Sequence, residues 1–456
     1  MCGLVGAYNI PNASTPAKLM LFGLQSRGRE GGGIASSDGK KINRVQGFGL
    51  VEQFLTGVKM KARLPGRIAV GHNRYSTAGA KGSLSCLQPF VARTASFQIA
   101  VAHNGNLENA DELRRRLESH GSILASTSDS ECFPHLIAQS KKRVFRNRLI
   151  EAMRKAKGAY SLLVMTRDMV YAAVDRYGFR PLWLAHWKKG VLFASETCAF
   201  APLGIKRSEM REIKPGELVC VSGGDAKTAA KISARRFAVA PFTRHCIFEL
   251  MYFSQPQSRS WGEEVWEVRE RLGERLARRF RIDGDFVLAV PDSSNKQGER
   301  YASVSGIPFR QGLFRNHHSG RTFIQSTGLE RTVGVRMKFS VAEGMYAGKT
   351  VIVIDDSLVR STTMKKVVRL LRKAGAAKVI VLIASPPVVS RCRWGIDMAT
   401  KQELVAATHS VEKIRRMVGA DFLGYLTVAD VLEAVGDPCG RKYCVSCFTG
   451  KHPYKK

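Results

Sequence analysis

The 456-residue chain predicts two fused domains of different architecture. An α+β domain spans residues 2–235, an α/β domain spans 245–430, and a basic, cysteine-containing tail follows at 431–456. Three observations carry this. The length suits two or three domains. The first half reads as short, often alternating strands broken by turns, the pattern of stacked antiparallel sheets with helices outside (αββα). After Lys231–Pro241 the pattern becomes apolar strands alternating with amphipathic helices, which predicts a parallel sheet covered on both faces.

In the first domain Arg67–His72, Phe97–Ala102 and Leu162–Met165 are candidate strands. Phe145, Leu149 and Met153 recur every fourth residue, so the basic run from Lys141 to Lys157 lies on a surface helix. In the second domain Val265, Val268, Leu272 and Leu276 mark an amphipathic helix. The strand Phe286–Val290 ends at Pro291-Asp292-Ser293. The strand Thr350–Ile354 ends at Asp355-Asp356, a helix covers Met364–Lys373, Gly375 stops it, and Val379–Ala384 is the next strand. Ligands of parallel sheets bind beyond the carboxyl ends of the strands, where Ser293, Asp355 and Asp356 fall.

With 44% hydrophobic and 24% charged residues the chain is globular. No apolar run approaches the ~20 residues that span a bilayer, so no membrane partner is expected. Ten cysteines scattered from Cys2 to Cys447 exclude a small disulfide scaffold and point to a reducing compartment. With no leader expected before Cys2, the chain reads as cytoplasmic. The net charge is +34 and the pI about 10.1. No nucleic-acid-binding motif accompanies that charge, so a general basic bias or attraction for anionic substrates is favoured, with RNA contact the lesser alternative.

Cys2 in Met1-Cys2-Gly3-Leu4-Val5-Gly6 becomes the first residue once Met1 is trimmed. It then carries a thiol and a free α-amine, whose pKa of about 7.7–8.0 lets it accept the thiol proton. Glutamine amidotransferases of the N-terminal-nucleophile class use this device. Partners follow downstream. Arg74, in Gly71-His72-Asn73-Arg74-Tyr75-Ser76-Thr77, can pair bidentately with the glutamine α-carboxylate. Asn104 and the Gly105 N–H, in His103-Asn104-Gly105-Asn106, can form an oxyanion hole. Asp129, in Thr127-Ser128-Asp129, offers a carboxylate to the α-ammonium.

The run Val351-Ile352-Val353-Ile354-Asp355-Asp356-Ser357-Leu358-Val359-Arg360-Ser361-Thr362-Thr363 delivers two carboxylates and then a hydroxyl-rich turn that opens a helix. Helix N-termini suit phosphate. The carboxylates suit ribose hydroxyls and Mg²⁺ bridging a pyrophosphate. The run resembles the signature of type I phosphoribosyltransferases.

Over essentially its full length the chain resembles amidophosphoribosyltransferase, with Asp175–Pro181 and Ala194-Ser195-Glu196 as further matches. The resemblance implies an N-terminal-nucleophile glutaminase domain followed by a type I phosphoribosyltransferase domain. It implies glutamine and phosphoribosyl pyrophosphate as substrates, purine nucleotides as feedback inhibitors, and a tetrameric homo-oligomer. Cys2 would be the nucleophile, Arg27, Arg74 and Asp129 would bind glutamine, and Asn104 with Gly105 would hold the oxyanion. Asp355, Asp356, Arg360, Ser361, Thr362 and Thr363 would bind phosphoribosyl pyrophosphate, with Ser293, Asp355 and Asp356 at the Mg²⁺ position. Gly320–Gln325 and Val335–Lys338 match the segment that closes over that substrate.

Cys444-Val445-Ser446-Cys447 alone fits a redox pair, a zinc knuckle with Cys439 and His452, or an iron–sulfur cluster. The resemblance implies a structural [4Fe–4S] cluster on Cys246, Cys392, Cys444 and Cys447, as in one branch of the family. Several positions depart from the family pattern. Ser26 and Arg29 lie beside the nucleophile, Ser361 replaces a glycine in the phosphate turn, Ser326 replaces a proline, Glu343 replaces an arginine, and Tyr252–Ser258 is altered. Two alternatives therefore stay open: a regulatory paralogue that binds nucleotide or phosphoribosyl pyrophosphate, and a glutaminase serving another acceptor.

Overall fold

The computed structural model describes residues 1–75, 79–80, 82–316, 339–397 and 400–453. The expectations for Ser76-Thr77, Gly320–Gln325, Ser326 and Val335–Lys338 lie outside the described residues.

Two antiparallel sheets build the first half. One has seven strands, with Gly3–Tyr8 at its centre between Gly190–Ala194 and Ile68–Arg74. The other has six, with Gly158–Met165 between Val170–Val174 and Gln98–Leu107. Strand alternation explains the stack, because successive side chains point to opposite faces. Leu4 and Tyr8 pack between the sheets with Leu163, Met165 and Phe193. Val5 and Ala7 point outward onto the helix Ser14–Gly23 through Ala17, Met20 and Leu21. Tyr160, Leu162 and Val164 point outward from the second sheet, under Leu149 and Met153 of the basic helix Phe145–Lys155.

The second half holds a four-stranded parallel sheet, ordered Phe286–Ala289, Thr350–Asp355, Lys378–Ile383, Phe422–Tyr425. Val351 and Val353 enter one core and Ile352 and Ile354 the other, so both faces are dry. The helix Val265–Arg279 buries Val265, Val268, Leu272 and Leu276. Asp355 is still paired, to Ile383, so the first of the two carboxylates belongs to the strand and the second begins the turn.

The tail folds back onto the start of the second half. The expected boundary at residue 431 falls inside the helix Val428–Ala434. Beyond it Asp437 accepts the main-chain N–H groups of Arg441 (2.9 Å), Lys442 (2.7 Å) and Tyr443 (3.1 Å). That turn aims Tyr443–Cys444 into a parallel pairing with His245–Cys246, where the chain passes between domains. No helix among the described residues is long and apolar enough to cross a membrane.

Candidate active sites

Cys2 opens the central strand of the first sheet and is 6% exposed. Its N–H donates to Asn104 Oδ1 (3.2 Å), and its Sγ lies 3.5 Å from the Tyr75 carbonyl. Asn104 Nδ2, on the facing sheet, is buried with no hydrogen-bond partner among the described residues. Gly105 has φ +154°, and a Cβ there would sit 1.9 Å from the Ala159 carbonyl, so only glycine fits. Cys2, Arg74, Gly105 and Asp129 line one narrow cavity with Tyr75, Gln88, His103, Ser128 and Ser130.

Local bonds fix this set. Arg74 donates to the carbonyls of Cys86 and Ala80 and pairs with Glu30. Asp129 accepts from Leu107 N (2.8 Å) and Ser130 Oγ (3.2 Å). The His103 ring sits between Ser130 Oγ (2.8 Å) and the Ala159 carbonyl (3.3 Å); burial lowers its pKa against the pull of Asp129. His103, Gln88 and Ser130 were not singled out as site residues, although His103 adjoins the Asn-Gly pair.

Arg27, expected to bind glutamine, lies behind Cys2. Its Nε donates to the Cys2 carbonyl (2.9 Å), and its other nitrogens to Glu196 (2.5 Å) and Glu249 (2.8 and 3.0 Å). It does not line the cavity, because two buried carboxylates have claimed its planar fork. It fixes the main chain of Cys2. Ser26 and Arg29 are both exposed.

At the second site Asp355 and Asp356 are 9% and 4% exposed. Ser293 Oγ donates to Asp356, Ser294 Oγ to Asp355 (3.0 Å), and Ser357 Oγ to Asp356 (2.6 Å). Burial raises the pKa of Asp356, opposed by the Ser293 and Ser357 hydroxyls and by Arg269. Ser361 precedes the helix Thr362–Lys373 with φ −62° and ψ −11°, and no side chain caps the first turn. Its free N–H groups present a phosphate-sized donor set. The Arg360 side chain pairs with Glu403 (3.0 Å). Ser294 and Arg269 were missed; nothing in their local sequence marks them.

The four expected thiols lie near enough to act on one another electrostatically. Cys246 and Cys444 are register partners, and Cys392 Sγ accepts from Trp394 N (3.3 Å). Burial first, then Cys444, Cys392 and Cys246, push the Cys447 thiol well up. Arg180 beside them is fully buried; burial opposes its charge, while Cys246, Glu249 and Cys392 favour it. Among the described residues no group of three or more His, Cys, Asp or Glu could hold a single ion. Cys439 is exposed, and among the described residues it forms no metal-binding group with Cys444 and Cys447. Iron–sulfur clusters are held by four cysteine thiolates, the donor type these residues would supply.

The stacked antiparallel sheets with a nucleophile-bearing first strand, joined to a parallel sheet ending in Asp-Asp, define a glutamine amidotransferase fused to a phosphoribosyltransferase. Residues 72–202 match the glutamine amidotransferase domain and residues 271–387 the phosphoribosyl transferase domain. The chloroplastic amidophosphoribosyltransferase of Vigna aconitifolia is 43% identical, over 99% of this chain and 91% of its own. The Bacillus subtilis enzyme is 40% identical, over 99% and 94%. A solved glutamine phosphoribosylpyrophosphate amidotransferase from B. subtilis, complexed with ADP and GMP, superposes with a TM-score of 0.91 at 38% identity, covering 99% of this chain and 97% of that one. The chain belongs to the amidophosphoribosyltransferase family.

Proposed function

We propose that this protein transfers ammonia from glutamine to phosphoribosyl pyrophosphate, yielding phosphoribosylamine, glutamate and pyrophosphate, at the start of purine synthesis. Once Met1 is trimmed, the Cys2 amine takes the thiol proton and the thiolate attacks the glutamine amide carbon. The oxyanion is met by the Gly105 N–H and by Asn104 Nδ2, a buried donor otherwise left without a partner. That orphaned donor beside Cys2 carries the reading. Arg74 and Asp129 hold the α-carboxylate and α-ammonium. The Cys2 ammonium returns that proton to the amide nitrogen, so collapse expels ammonia and leaves a thioester, which water cleaves to glutamate.

At the second site Asp355 and Asp356 orient the ribose hydroxyls. The turn Ser361-Thr362-Thr363 takes the 5-phosphate, with Arg360 at its edge. Mg²⁺ on Ser293, Asp355 and Asp356 would neutralise the pyrophosphate as ammonia displaces it from C1. A [4Fe–4S] cluster on Cys246, Cys392, Cys444 and Cys447 would cross-link the returning C-terminal segment to the domain junction and take part in no step. Purine nucleotides as feedback inhibitors, a homo-tetramer, domain limits near residues 235 and 245, and a cytoplasmic site complete the reading; the relative solved with ADP and GMP supports the nucleotide part. The test is glutamine hydrolysis with and without phosphoribosyl pyrophosphate and Mg²⁺. A rise on their addition is expected. A rate indifferent to both would favour a glutaminase serving another acceptor.

A further inference from the structure

One short helical turn, Glu249–Phe253, lies between the two sites. At its start Glu249 is fully buried and accepts from Arg27 (2.8 and 3.0 Å), Arg180 (3.5 Å) and Ser254 Oγ (3.1 Å). Arg27 holds the Cys2 carbonyl. Arg180 holds the Trp394 carbonyl (3.1 Å from Nε), beside Gly395. Gly395 packs on the oxyanion strand so closely that a Cβ there would lie 2.8 Å from the Gly105 carbonyl. Glu249, from the second domain, therefore supports both the nucleophile and the segment behind the oxyanion glycine.

The remainder of the turn faces the other site. The carbonyls of Leu250, Tyr252 and Ser254 accept from the buried Arg269 (3.1, 2.9 and 2.7 Å). Arg269 also reaches the Ser293 carbonyl (3.5 Å), and Ser293 Oγ donates to Asp356. A buried ion pair is costly to break, because the partner left behind stays charged and desolvated. Displacing one end of the turn therefore strains the contacts at the other.

We propose that Glu249 and Arg269 are positioning residues that make this turn the link between the sites, so that a ligand on Asp355 and Asp356 is felt at Cys2. The inference rests on the roles given above to Cys2 and to the Asp355–Asp356 pair.

The test uses the full-length holoenzyme. Two rates are measured with and without phosphoribosyl pyrophosphate and Mg²⁺: glutamine hydrolysis, and alkylation of Cys2 by iodoacetamide. Both should rise in the wild type. In Glu249→Gln the rise should shrink to less than a third of the wild-type factor, expressed in kcat with the KM for glutamine little changed. Coupling is reciprocal, so a glutamine-like alkylating group on Cys2 should tighten phosphoribosyl pyrophosphate binding in the wild type but not in the variant. Ser254→Ala removes one hydroxyl from Glu249 without touching an ion pair and should lose a smaller part of the rise. A full rise in a folded Glu249→Gln overturns the proposal. Should that variant not fold, an undiminished rise in Ser254→Ala overturns it. If the wild type shows no rise although Cys2→Ser abolishes glutamine use, the coupling fails while the nucleophile stands. If Cys2→Ser still consumes glutamine, the nucleophile assignment itself fails.

Discussion

Among the described residues, the glutamine end is an enclosed pocket, whereas the phosphoribosyl end is partly exposed. Cys2, Arg74 and Asp129 are at most 6% exposed, each held by hydrogen bonds to its own domain. At the other end the carboxylates are buried and serine-bonded, but Arg360 and Thr362 reach solvent. The difference suits the ligands proposed for the two ends. A small zwitterion can be matched charge for charge by one arginine and one carboxylate in a dry cavity. A polyanion needs free main-chain N–H groups and a cation, which only an exposed turn beside an acidic pair supplies.

The sharpest way to break this comparison is Cys2→Ser. If the two ends are separate sites, the variant should lose glutamine-dependent synthesis by on the order of 10³-fold or more. Synthesis from added ammonium should persist. Equal loss of both activities in a folded variant would show that the ends are not separable.

Asn104→Ala sharpens the account of the closed end. It removes the orphaned Nδ2 donor, and loss of one oxyanion donor costs ~10²–10³ in kcat. Steady-state kinetics with glutamine and with ammonium should show that drop for glutamine alone. A loss below threefold would remove Asn104 from the oxyanion hole.

The boundary between the two ends is tested by metal content. Anaerobically purified protein should be brown and hold about four irons per chain. Cys444→Ser should lose the colour and lower the thermal midpoint by on the order of 5–10 °C, as expected where a bound cofactor contributes to folding. One zinc per chain without visible absorbance would refute the cluster.

What was legible in the sequence was what lies close together along it. The strand periods, the Asn104-Gly105 pair and the Asp355–Thr363 run each sit within one segment, so residue type and spacing carry the meaning. The network around Glu249 was not legible. Glu249 and Arg27 are 222 residues apart, and a lone glutamate or arginine reads as surface until the fold buries it against its partner. The path of the tail was not legible for the same reason, since Asp437 looks like any turn aspartate until it gathers three N–H groups. The backbone angle at residue 361 was illegible too, because sequence gives a residue type and not the sign of φ.

That sign decides the smallest effect. With positive φ, Ser361 would cost roughly 1–2 kcal/mol, and glycine would tighten substrate binding. The observed φ of −62° is ordinary helical backbone, so no strain exists for glycine to relieve. Serine at a helix N-cap instead offers a hydroxyl next to the free N–H groups of Thr362 and Thr363, where a phosphate oxygen can accept from it. A hydrogen bond is worth about 0.5–1.5 kcal/mol net, and 1.4 kcal/mol is about tenfold in affinity. Ser361→Gly should therefore weaken phosphoribosyl pyrophosphate binding about three- to tenfold by calorimetry, with glutamine hydrolysis in its absence unchanged. Tighter binding in the glycine variant would mean that the turn switches to positive φ around its ligand, and that the open end, unlike the closed one, is remade when substrate arrives.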